Sequence, residues 1–254
     1  MIYDIQRASL WKRISALIFD FIILGIVTVG VAFLLSSAVD YDGRAAERDA
    51  LRNEFEAEYG VDFDIKQSDY NALPEAERQK LDDAYKAFAT DPEVNRMDVL
   101  IINLTLIIIS FSILISYLLL EILVPLKLKN GQTLGKKIFG IGVMRADGVK
   151  LSTLQLLIRT ILGKYTLETM IPVLLILMYL FNFMPLFCVV GLGVLAILEI
   201  ICMSVQRIRA PIHDAIAGTV TVDIASQLIF DTAEELMEYK KKLHAEAVNK
   251  AEYN

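Results

Sequence analysis

The chain has 254 residues, 55% of them hydrophobic, with a formal net charge of −6 and a mean hydropathy of +0.50. Its apolar residues gather in long blocks, which argues against an ordinary soluble domain and for a membrane protein. Two histidines rule out the usual zinc cluster, and Cys188 and Cys202, about 21 Å apart if on one helix, cannot bridge within it.

The first block, RISALIFDFIILGIVTVGVAFLLSS, supplies a span over 14–37. Its apolar part is longer than a signal-peptide core, so a retained transmembrane helix is expected rather than a cleaved leader. The second span is 99–126. The third block is too long for one span, and Asn182 and Pro185 near its middle split it into spans over 167–184 and 185–205. The expected fold is therefore an all-α membrane protein with four transmembrane helices.

Charge sets the expected orientation. Segment 38–98 carries 17 acidic and 8 basic residues, whereas 127–166 carries 8 basic residues against Asp147 alone. Positive loops stay cytoplasmic, so both termini (1–13 and 206–254) are expected inside and the acidic loop outside. In that loop, Leu51, Phe55 and Tyr59 share one helical face, as do Leu81, Tyr85 and Phe88, which suggests a helical hairpin. Asp62 and Asp64 begin like a calcium loop, but the required glycine and glutamate are missing.

In the basic loop, Leu134, Ile138 and Ile141 recur beside Lys136 and Lys137, as in a short interfacial helix drawn to anionic lipid. IGVMRADGVKLS reads as a turn or hairpin around Asp147-Gly148. No phosphate-loop spacing is present. After span four, TVTVDI is a short strand or an extended exit, and Thr232 with Glu235 forms a capping-box pattern ahead of a cytoplasmic amphipathic helix.

Ionised residues inside the spans demand a reason, because each costs about 2.5–3.5 kcal/mol in lipid. Asp20, Glu121 and Glu199, on three helices, fall at one height on the cytoplasmic side, with Arg13, Arg159, Arg207 and Arg209 as the available cations. Either these groups pin the helices together or they line a path for a ligand or ion. His213 and Asp214, beyond Pro211, are expected at the inner surface near Arg13. No nucleophile motif accompanies them, so a hydrolytic dyad, and enzyme activity generally, is not expected.

RISALIFDFIIL, GQTLGKKIFGIGV and RIRAPIHDAIAGTVTV together resemble the RDD family of membrane proteins. The family is named for one arginine and two aspartates, which match Arg13, Asp20 and Asp214 here. The resemblance implies an RDD-like domain over 1–225 with an insertion at 38–98, a prokaryotic plasma membrane, and transport of unassigned ligands. Two functions stay open. One is transport or permeation of a small ligand or cation, proton-coupled through Asp20 with Arg13 and Asp214 as gate or counter-ions. That reading expects a homo-oligomer and keeps Glu121, Glu199, Arg159, Arg207 and His213 as secondary candidates. The other is a non-transporting adaptor that binds protein partners through the outer loop and the C-terminal helix. Neither calls for a cofactor, a metal or nucleic acid.

Overall fold

The computed structural model describes residues 5–205 and 210–252. Four helices are long and apolar enough to cross a membrane: α1 (Leu10–Ala38), α5 (Pro92–Lys127), α7 (Thr153–Leu180) and α8 (Pro185–Val205). Large apolar side chains such as Phe21, Ile26, Leu186 and Ile197 point outward from them. That is the inverse of a soluble bundle and suits a hydrocarbon surrounding.

The chain divides into two compact units. One is Val29–Ser112; the other joins Met1–Thr28 to Ile113–Asn254. In the first, α2 (Tyr41–Tyr59), α3 (Gln67–Ala72) and α4 (Glu75–Thr90) follow the expected helical hairpin. Phe88 is buried and meets Phe55 and Phe63 at ring distances of 5.5 Å each. Leu81 is buried on the same face of α4, whereas Tyr85 stays exposed. Gly60 ends α2 in the left-handed conformation, a glycine C-cap.

The second unit adds structure to the helices. Helix α6 (Leu134–Ile138) leads into β1 (Ile141–Arg145), which pairs antiparallel with β2 (Thr219–Asp223), Val143 opposite Thr221. The turn at Asp147-Gly148 does form, with Met144 bridging Lys150. The main partner of β1, however, is β2, far away in sequence, so the helical protein carries one two-stranded sheet. Met144, Val220 and Val222 form its apolar core with Ile5 and Ile229. Between the long helices and β2 lies the short helix α9 (Ile212–Ala217), and α10 (Ala233–Glu252) closes the described chain. Thr232 caps α10 by accepting from the Glu235 amide at 3.2 Å. Leu236 is buried and Tyr239 meets Phe230 at 5.1 Å, so the start of α10 docks on its own unit.

Helices α1 and α5 extend beyond the expected spans, and the largest difference is in α7. Helix α7 starts at Thr153, well before the expected start of the third span at 167. Arg159, expected half-buried at the inner interface, and Lys164, within the expected basic loop, are both buried in helix, where ion pairs offset their charge. Wide π-type turns at Leu118–Leu123 and Ile158–Met170 place these charged residues within α5 and α7. Ile141 belongs to β1 rather than to an interfacial helix, and Lys136 turns inward instead of toward lipid.

A charged cavity as the candidate functional site

Six helices bring ionised groups of the larger unit to one place. Helix α9 carries His213 and Asp214, and the β1–β2 pairing that follows it holds α9 against α7. The approach is close: a Cβ on Gly163 of α7 would stand 2.5 Å from the His213 Cβ. Asp214, 1% exposed, accepts hydrogen bonds from Arg159 Nε at 2.6 Å, Thr219 Oγ1 at 2.7 Å and Thr221 Oγ1 at 3.3 Å. Burial works against its charge, yet Arg159, with His213 and Thr219, holds the carboxyl well below the usual carboxylate range.

Arg159 is itself only 2% exposed and reaches a second carboxylate, Glu121 of α5, at 3.9 Å. The closer partner of Glu121 is Lys164, at 2.6 Å, and Glu121 Oε2 accepts no hydrogen bond. One turn further along α7, Glu168 accepts from the His213 backbone amide at 2.9 Å and contacts His213 Nδ1 at 2.8 Å. Glu199 of α8 accepts the Ile212 amide at 3.2 Å.

Asp20 sits in a cradle at the start of α6. Thr133 donates its hydroxyl to one carboxylate oxygen, and the Gly135 amide donates to the other at 2.7 Å. Lys136 stands 3.9 Å from Asp20 and donates to Thr133 Oγ1 at 3.3 Å. Thr133 is also the N-cap of α6, accepting from the Lys136 amide, so the cap and the Asp20 contact share one hydroxyl.

Arg13, expected as a gate or counter-ion of Asp20, is not the cation paired with either aspartate. Asp214 takes Arg159 and Asp20 takes donors from α6, because β2 and the α6 cap bring those groups nearer. Among the described residues, the Arg13 side chain makes no hydrogen bond or ion pair. It does line, with Asp20, Lys136, Glu199, His213 and Asp214, a cavity of about 200 Å³. Arg159, Lys164 and Glu168 reach the same cavity. Glu121 lies outside its lining, and Arg207 falls outside the described residues. Lys136, Lys164 and Glu168 were missed as site residues. The spacing of Lys164 and Glu168, four apart on one helix, was the available signal.

Burial disfavours the charged form of Lys136 and Lys164 adds repulsion. Glu121 opposes both, and the ammonium is still pushed down to about 7. An unfolded chain binds that proton up to pH ~10.4, so between the two values the unfolded state holds more protons than the folded one. Stability therefore rises with pH across this window and is lowest, and flat, below about 7. Melting curves of detergent-solubilised protein between pH about 6 and about 10 are expected to show that rise relative to Lys136→Met, which lacks the titration. Parallel pH profiles for the two proteins would mean that the ammonium is not held in this way.

Residues 7–218 match the model of the RDD family, so the match takes in the whole charged network and leaves out α10. No curated protein and no solved structure matches the chain.

Proposed function

The chain belongs to the RDD family of membrane proteins, and on that premise we propose that it moves a small ligand or cation across the bilayer through the charged cavity. The observation that carries this reading is the cavity itself. Helix pinning needs matched charges and close packing, as at Asp214–Arg159. It does not need about 200 Å³ of space walled by ionised groups from α1, α6, α7, α8 and α9. Among the described residues no His, Cys, Asp or Glu cluster is placed to hold a metal ion, and the reading calls for no catalytic step.

In this proposal Asp20 is the coupling carboxylate, and its exchange partner is Lys136 rather than Arg13. Asp214 acts as the fixed counter-ion that keeps Arg159 and α9 in place. Both termini lie in the cytoplasm of a prokaryotic cell, the acidic hairpin lies outside the plasma membrane, and Lys127 and Lys150 face anionic headgroups. Four spans are few to enclose a path, so the working unit is a homo-oligomer.

The test is flux into proteoliposomes loaded with a pH dye, under sodium, potassium and proton gradients in turn. Wild type is expected to give flux above empty liposomes, and Asp20→Asn at matched incorporation to reduce it at least about tenfold, the equivalent of ~1.4 kcal/mol. Equal flux in the two proteins would remove Asp20 from the mechanism. The compact aromatic core of the outer hairpin favours a second reading, an adaptor that binds partners outside the membrane. An adaptor gives no flux under any gradient.

A further inference from the structure

Among the ionised groups around the cavity, most have a partner. Asp214 has Arg159, Lys164 has Glu121 behind it, Asp20 has Lys136 and Glu168 has His213. Two are left over. Among the described residues, Arg13 has no side-chain partner and Glu199 has only the Ile212 amide, a neutral donor. They are of opposite sign, they stand on different helices, and they line the same cavity. Between the ionised groups the cavity also has apolar lining, from Leu10, Ile14, Leu17, Met203 and Pro211. A buried or half-buried charge without a counter-charge is costly. A ligand that neutralised only one of the two would leave the other exposed to the same cost.

We infer that the cavity binds a compact aliphatic zwitterion, its anionic end on Arg13 and its cationic end on Glu199. The guanidinium presents paired donors that suit a carboxylate. The Ile212 amide takes Glu199 Oε2, and among the described residues no donor is bonded to Oε1, the oxygen assigned to the ammonium. The apolar lining accommodates the methylene spacer. A space of about 200 Å³ suits a compact ligand such as an ω-amino acid or a small betaine. This inference rests on the cavity being a ligand site, and it names the class of ligand.

Three shape-matched probes separate the charges: 4-aminobutyrate carries both, butyrate only the anion, butylammonium only the cation. Equilibrium binding to the purified full chain in nanodiscs is expected to favour 4-aminobutyrate, or a homologue between glycine and 6-aminohexanoate, by at least about tenfold over both single-charge probes. Arg13→Gln should weaken the zwitterion and butyrate but not butylammonium, and Glu199→Gln should do the reverse for the single-charge probes. The comparison among probes uses wild type alone, so it survives a variant that fails to fold. Equal affinity for butylammonium and 4-aminobutyrate would overturn the inference and make this a cation site. No binding of any probe, with ion flux retained in the proteoliposomes, would overturn the zwitterion and leave transport standing; loss of both would overturn the transport reading as well.

Discussion

Asp214→Ala is expected to cost about 3–5 kcal/mol of folded stability, the range for removing one partner of a buried ion pair. The size follows from what remains. Arg159, at 2% exposure, would keep its charge and lose its 2.6 Å acceptor. Glu121, at 3.9 Å and engaged more closely by Lys164, is a weak substitute. Thr219 would lose its 2.7 Å side-chain acceptor in the same stroke. The measurement is melting of the solubilised protein, with monodispersity as the check on folding. Asp214→Asn retains an amide oxygen for Thr219 and should fall between wild type and alanine. The double variant Arg159→Met with Asp214→Leu removes both charges and should recover much of the loss. A single alanine variant within about 1 kcal/mol of wild type would mean that this pair does not hold α9 to α7.

The same pair illustrates what a sequence can and cannot disclose. The four spans were legible because twenty or so apolar residues in a row have few alternatives. The helical hairpin between the first two long helices was legible from the helical spacing of Leu51, Phe55, Leu81 and Phe88. Asp20, Glu121 and Glu199 stood out because ionised groups are conspicuous in apolar runs. Their partners did not. Asp214 finds Arg159 from 55 residues away, and Asp20 finds Gly135 from 115. Such partners are chosen by the β1–β2 register and by where α6 comes to lie against α1, and both are long-range outcomes of the fold. Arg159 and Lys164 misled for a related reason. A charge in an apolar stretch reads as the edge of a span, whereas here it is the residue that makes burial of Glu121 and Asp214 affordable.

Gly135→Ala is the second large effect expected, about 1–3 kcal/mol from overpacking. A Cβ at this position would collide with the Ala16 backbone carbonyl of α1 and lie 2.9 Å from Asp20 Oδ1. A backbone carbonyl in the middle of a helix has no rotamer with which to escape, so α6 must move. Moving α6 draws the Gly135 amide away from the carboxylate it serves at 2.7 Å. Gly25→Ala is the control: a Cβ there meets nothing within 4 Å, and alanine is the better helix former by roughly 0.5–1 kcal/mol. Melting should separate the two substitutions clearly, and similar melting would mean that α1 and α6 do not approach this closely. Flux then divides charge from cradle. Asp20→Asn keeps the close approach and removes the charge, while Gly135→Ala keeps the charge and removes the close approach. If both abolish flux, Asp20 acts only when held by the Gly135 amide. If Gly135→Ala folds and transports, the carboxylate acts by its charge alone, and the amide serves to position α6.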